Sequence, residues 1–312
     1  MMRGLFCDGS KVEFRRELPN PNLKLGETLL RVRTVGICDT DLQLAQGYMG
    51  FQGILGHEFL GETADGKRVT AEINNPCREC PTCRAGRPRH CPNRSVLGIL
   101  NHDGAMADWV AVATQNLHSV PDAIDDLQAV FIEPLAAAFR ILEQIDLDDS
   151  VSFAVLGDGK LGILCAKVAR LTGARVHLIG KHPEKLKLAG RSIETHVLGS
   201  LDPGLEKFDV VADCTGSATG FPAALRLVRP CGTIVLKTTV AGTYELNLAL
   251  VVIDELRVIG SRCGPFPKAI DALARGTIDV GPLIGSIYPL DAAEEAFRTA
   301  AIKGSRKVVL QV

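Results

Sequence analysis

Two rhythms of apolar and polar positions divide this chain. Up to about residue 120 the apolar residues come in short alternating runs punctuated by glycine. LLRVRTVG at 29–36 alternates and is bounded by Gly26 and Gly36, which predicts a strand. ADWVAVA at 107–113 predicts another, and glycine-containing turns recur at 47–56, 61–66 and 103–104. From about residue 127 the period changes. LQAVFIEPLAAAFRILEQI at 127–145 carries Leu, Ala and Ile at helical spacing, with Pro134 near a helix start. Continuous apolar runs then alternate with helical ones. VSFAVLG (151–157), ARVHLIG (174–180), FDVVADCTG (208–216), GTIVLKTT (232–239) and LRVIGSR (256–262) read as buried strands; LGILCAKVARLTG and PEKLKLAG read as helices. That alternation predicts a parallel, doubly wound sheet. The tail adds a helix, LDAAEEAFRTA, and a last strand, RKVVLQV, which suggests that the chain returns to its first domain. The predicted class is α/β, with a β-rich domain beside a doubly wound one.

Composition adds mainly exclusions. The chain has 312 residues, 46% hydrophobic and 23% charged, enough for two domains. Its 35 Lys and Arg balance 36 Asp and Glu, so no nucleic-acid or anionic-membrane footprint is expected. The start, MMRGLFCDGS, lacks the apolar run of a secretory signal, and no stretch approaches the length of a membrane helix. A cytoplasmic location is expected, and there a cysteine cluster reads as metal or redox chemistry.

Such a cluster exists. Cys77, Cys80, Cys83 and Cys91 have the spacing C-x2-C-x2-C-x7-C. Two-residue gaps aim successive thiolates at one point, and four thiolates close a tetrahedral zinc site with no open position, so this zinc would be structural. The alternative is a disulfide cluster or chance proximity. Three other stretches carry zinc-competent groups: GICDTD with Cys38, GHEFLGE with His57 and Glu58, and IEPLAAA with Glu133. Cys38, His57 and Glu133 together would supply three ligands and leave a fourth position for water or substrate, as catalytic zinc requires. Each also has a bland reading: a small core residue, a satisfied turn histidine, and a carboxylate at a helix start.

Gly157-Asp158-Gly159-Lys160-Leu161-Gly162 is G-x-G-x-x-G between a predicted strand and a predicted helix, the setting a dinucleotide requires. Gly157 permits the turn, Gly159 lets backbone approach a pyrophosphate, and Gly162 lets helix and strand pack closely. Lys160, Leu161 and Thr215 complete the expected lining.

GICDTDLQL, ILGHEFLGE, the four-cysteine lobe, IEPLAAA and GDGKLG, in this order from about residue 25 onward, resemble the zinc-dependent medium-chain dehydrogenase/reductase family of alcohol, sorbitol, glucose and threonine dehydrogenases. The resemblance implies a GroES-like catalytic domain (1–125 and 265–312) and a Rossmann domain (126–264), with substrate in the cleft between them. It implies catalytic zinc on Cys38, His57 and Glu133, and two zincs per chain. Glu58 either binds that zinc directly or sits behind a ligand. Thr40 passes a proton from the substrate alcohol. Glu133 followed by Pro-Leu looks like the polyol and sugar branch. The implied reaction is hydride transfer between NAD(P) and a secondary alcohol, polyol or sugar, in a homo-oligomer, dimer or tetramer. Two other readings are a zinc-free quinone or enoyl reductase on the same fold, and a nucleotide sensor without catalysis.

Two positions depart from the family pattern. Gln43 stands where several members continue the proton relay with histidine. Gly180 ends the second Rossmann strand where NAD-preferring members carry Asp. With the acid absent, Gly180 would leave room and Lys181 and His182 would offer donors to a 2′-phosphate, so NADP is expected to be preferred over NAD. Tyr48, Met49 and Phe51 read equally as pocket walls or as turn packing.

Overall fold

The computed structural model describes residues 1–201, 206–237, 239 and 245–312. The chain forms two compact units, Met1–Glu133 with Ala269–Val312, and Pro134–Lys268.

In the first unit the strand Glu27–Gly36 is the axis. Leu30, Val32 and Thr34 point inward while Arg31 is exposed, the alternation expected of a strand with one wet face. It pairs antiparallel with Trp109–Ala113, Glu58–Glu62 and the final strand Lys307–Gln311. The tail therefore does return, setting Val309 opposite Gly36. A second, three-stranded sheet contains the hairpin Met2–Cys7 and Val12–Leu18. Its turn is tied by Asp8, whose carboxylate accepts from the N–H groups of Ser10 (2.9 Å) and Lys11 (2.8 Å).

The second unit is an all-parallel sheet of Ser152–Leu156, Arg175–Gly180, Glu194–Val197, Phe208–Asp213, Val228–Leu236 and Arg257–Gly260. Numbered along the chain, their spatial order is 3-2-1-4-5-6. Order reverses between the first and fourth strands, which is where a doubly wound sheet opens a ligand crevice. Ile179, Val211 and Ile234 of the sheet pack with Phe221, Ala224 and Leu225 of the helix Gly220–Leu227. Thr238, in the run expected at 232–239, lies outside the described residues.

The helix expected over 127–145 is broken into Asp126–Ala129, Ile132–Phe139 and a 3-10 turn at Arg140–Glu143. Pro134 has no N–H to give, and its ring excludes the carbonyl four residues back, so the helix restarts to keep proline in its first turn. PEKLKLAG supports only the helix Pro183–Leu186 and a 3-10 turn, closed by Gly190 at φ +93°.

Candidate functional site

The cysteine lobe is shaped by local geometry. Arg78 takes a left-handed conformation (φ +63°) after Cys77. Cys80 caps the short helix Pro81–Arg84, on which Cys83 sits. The ligand atoms of Cys77, Cys80, Cys83 and Cys91 all lie within 4.8 Å of one another. Sulfur separations are 3.5 Å for Cys77–Cys91 and 3.8 Å for Cys80–Cys91. A tetrahedron with metal–sulfur bonds of about 2.3 Å has edges of about 3.8 Å, whereas a disulfide needs about 2.05 Å. All ten cysteines are free, which removes the disulfide reading. The thiols are unequal: backbone N–H groups of Glu79 and Cys80 hold Cys77 down to about 6, while loss of solvent and the neighbouring thiols push Cys83 up to about 12.

A second cluster joins Cys38, His57 and Glu58, whose ligand atoms also fall within 4.8 Å of one another. Cys38 caps the helix Asp39–Leu44, and His57-Glu58 opens the strand paired with Glu27–Gly36. Gly56 is obligatory at the turn: at φ +99°, a Cβ there would lie 2.7 Å from Met106 Cγ. Fully buried Asp41 ties the two halves together. Its carboxylate accepts from Cys38 N (2.8 Å) and Gly56 N (3.2 Å) and faces His57 Nδ1 at 3.4 Å. That last distance is an ion-pair contact rather than an aligned hydrogen bond, so Nδ1 has no hydrogen-bond partner. Glu58 pairs with Lys307 of the final strand, both 1% exposed. Gly36 makes room for the pair, since a Cβ there would sit 2.9 Å from Glu58 Oε2 and 3.1 Å from Lys307 Cδ.

Electrostatics suit a metal. Burial, then Glu58, pushes the Cys38 thiol up. Burial pushes the His57 imidazole down, but Asp41 and Cys38 outweigh it and hold its pKa well above the usual histidine range. Both groups keep protons that a cation would displace, and a thiolate, an imidazole and a carboxylate form a donor set that fits zinc. Glu133, half-buried in the first turn of Ile132–Phe139, is not one of this group; Glu58 is. Thr40 is half-buried on the helix that Cys38 caps. Gln43 Oε1 is buried without a hydrogen-bond partner. Phe51 is buried, whereas Met49 is 50% exposed.

The glycine-rich turn has the build its motif demands. Gly157 adopts φ +112°, with Cys214 O 2.6 Å from where a Cβ would stand. A Cβ on Gly162 would overlap Gly157 O at 1.9 Å, while Gly159 faces open space. Gly159 caps the helix Lys160–Arg170, so the N–H groups of Lys160, Leu161 and Gly162 lie in its first turn, where an anion is favoured. Thr215 is exposed beside this turn and donates to Asp213 Oδ1 (2.8 Å). At the next strand end the room expected beside Gly180 is absent. The space beside Gly180 is filled by Asp158: a Cβ on Gly180 would lie 2.4 Å from its Oδ2. Asp158 accepts from the backbone N–H groups of Lys181 and His182, both at 2.7 Å, and contacts His182 Nδ1 at 3.0 Å. His182 is therefore already engaged, and Lys181 keeps only its exposed ammonium.

Asp41, Asp158 and Lys307 escaped the sequence reading. Asp41 carried a signal, since an acid three residues after a helix cap reaches back to the cap's N–H. Asp158 stood in plain view inside the glycine motif. Lys307 carried none, because its partner is 249 residues away. A further trio, His177, Glu194 and His196, is close-set, but His177 Nδ1 and His196 Nε2 face each other as a 3.0 Å hydrogen bond.

Residues 24–122 match the family model of the alcohol dehydrogenase GroES-like domain, and residues 161–275 that of zinc-binding dehydrogenases. Among curated proteins, the L-galactonate-5-dehydrogenase of Escherichia coli K12 is 27% identical, with 96% of each chain covered. The erythritol/L-threitol dehydrogenase of Mycolicibacterium smegmatis is 28% identical over 93% of this chain and 91% of that one. Among solved structures, a protein of Sinorhizobium meliloti 1021, described as a zinc-binding dehydrogenase and bound to NADP, superposes with a TM-score of 0.90 at 28% identity, covering 100% of this chain and 99% of the other.

Proposed function

Because the chain belongs to the zinc-dependent medium-chain dehydrogenase/reductase family, we propose that it moves a hydride between NAD(P) and a small secondary alcohol, polyol or sugar. The observation that carries this reading is the cluster of half-buried Cys38 with buried His57 and Glu58, beside the helix that also presents Thr40. Two zincs are expected per chain. Cys77, Cys80, Cys83 and Cys91 would hold the structural one; Cys38, His57 and Glu58 would hold the catalytic one, with Glu133 the remaining carboxylate assigned to that site. A zinc bound there would supply Lewis acidity toward the substrate oxygen.

The chain's own residues do the rest. Asp41 holds the Cys38 backbone N–H and keeps its carboxylate beside the His57 ring. Lys307 holds one oxygen of Glu58. Thr40 takes the alcohol proton and passes it on; Gln43 does not ionise, so that proton leaves through water or another group. The glycine-rich turn and the helix Lys160–Arg170 seat the pyrophosphate. The sequence argument for NADP rested on Lys181 and His182 facing a phosphate, and Asp158 now holds both of their backbone N–H groups, which weighs toward NAD. The chain is taken to work in the cytoplasm as a homo-oligomer, dimer or tetramer, which light scattering after size exclusion tests. Among the described residues, no helix is long and apolar enough to cross a membrane.

The deciding experiment is metal content together with turnover on a panel of polyols, aldonic acids, L-threonine and secondary alcohols with each cofactor. Two zincs and turnover on one hydroxyl class support the reading. One zinc without turnover indicates a sensor, and zinc-free quinone or enoyl reduction indicates the other reductase branch.

A further inference from the structure

We propose that Asp158 supplies the acid of the adenosine-ribose pocket from inside the glycine-rich turn, replacing the side chain that Gly180 lacks, and that it makes NAD the preferred dinucleotide. The inference rests on the reading of the second unit as a dinucleotide site.

The volume argument comes first. A side chain at the end of the strand Arg175–Gly180 is where a Rossmann unit places the carboxylate that reads the ribose hydroxyls. Here that volume is taken: a Cβ on Gly180 would meet Asp158 Oδ2, Cβ and Cγ at 2.4, 2.5 and 2.6 Å. Gly180 thus admits a neighbour's carboxylate, and the acid arrives from the first strand's turn instead of from the second strand.

Next is how the carboxylate is held. Oδ2 accepts from Lys181 N and His182 N, each at 2.7 Å, and lies 3.0 Å from His182 Nδ1. Oδ1 has only the longer imidazole contact, at 3.1 Å, so it keeps capacity for an outside donor such as a ribose hydroxyl. Burial alone would favour the neutral acid, but the imidazole and the two N–H groups outweigh it and hold the pKa below the ordinary carboxylate range. Asp158 is therefore a fixed anion at neutral pH.

The consequence for a 2′-phosphate follows. Two consecutive backbone N–H groups and an imidazole at this strand end would otherwise form an anion site. They are spent on an internal anion, and a phosphate would meet like charge. The exposed ammonium of Lys181, a flexible and well-hydrated point charge, repays little of this.

The test is calorimetric binding of NADH and of NADPH, separately, to the full-length zinc-loaded protein. Wild type is expected to bind NADH at least about tenfold more tightly. Asp158→Ala frees the N–H groups and the imidazole, so affinity for NADPH should rise and that for NADH fall, moving the ratio of the two Kd values by about a hundredfold. Asp158→Asn keeps the volume and an acceptor oxygen while removing the charge, and should move the ratio the same way by less; it serves if the alanine variant fails to fold. A wild type that binds NADPH as tightly as NADH, or a ratio unmoved in the variants, overturns the proposal. If wild type bound neither dinucleotide, the dinucleotide reading itself would fall, and this inference with it.

Discussion

Replacing Lys307 by Met isolates the interaction that joins the end of the chain to the candidate metal site. Methionine nearly matches the lysine stem in volume, so the change removes a charge without opening a cavity. Lys307 Nζ is paired with Glu58, reaches Ile37 O at 3.4 Å and lies 5.7 Å from the centre of the Phe131 ring. Burial works against the ammonium, but the charges around it, Glu58 first, outweigh it and keep Lys307 charged. Both partners are 1% exposed, so Lys307→Met strands a carboxylate away from water. Breaking a buried pair in this way costs about 3–5 kcal/mol. For a unit of this size each kcal/mol lowers Tm by about 2–4 °C, so a fall of about 6–20 °C is expected. Calorimetry on chelator-treated protein reads it. The fall should shrink when zinc is restored, because the cation then offsets the Glu58 charge. In the metal-free protein, Glu58→Leu combined with Lys307→Met should recover most of the loss, since an apolar pair of similar volume is often no worse than a buried ion pair. A metal-free Lys307→Met protein within about 1 kcal/mol of wild type would refute the reasoning, because removing the ion-pair partner of a buried carboxylate is not that cheap.

Three other outcomes are expected. Cys83→Ser should lose one zinc per chain by elemental analysis and lower Tm, since metal binding is part of the folding free energy; unchanged zinc would remove the four-thiolate site. Thr40→Val should cut kcat by about 10²–10⁴-fold with zinc retained, while Thr40→Ser keeps most activity; an active valine variant would free Thr40 of its proton-transfer role. Asp209 is pushed up by burial but held down, from 3.8 to about 2, by Ser152 and Arg229. A depressed folded-state value means that its stabilisation is present above about pH 4 and lost as pH falls toward 2. Asp209→Asn should flatten that part of the urea-midpoint profile against pH, and an unchanged acid limb would refute the linkage.

Much of this protein was legible because much of it is local. The spacing of Cys77, Cys80, Cys83 and Cys91 confines four sulfurs to one small volume whatever surrounds them, and the structure gathers them within 4.8 Å. The glycine-rich turn was equally legible, because the positive φ of Gly157 and the close approach of Gly162 to Gly157 O arise within six residues. Long apolar runs such as 151–157 identified the central strands, for a strand buried on both faces has no polar alternation to confuse it. The edge strand Glu194–Val197 went unread, since its partly wet side chains, Glu, Thr, His and Val, carry almost no apolar pattern.

What the sequence could not decide was which distant groups meet. Glu58 and Glu133 were both plausible companions for Cys38 and His57, and only the pairing of Glu58–Glu62 with Glu27–Gly36 brought Glu58 into the cluster. Lys307 reaches Glu58 because the last strand pairs antiparallel with Gly36 at Val309, a register set by the whole sheet. Gly180 looked like a missing acid, yet the carboxylate of Asp158, 22 residues earlier, fills the space beside it, brought there by the parallel pairing of Ser152–Leu156 with Arg175–Gly180. In each case the residue type was visible along the chain. Its partner was chosen by strand register, which the packing of many side chains determines together and no single stretch encodes.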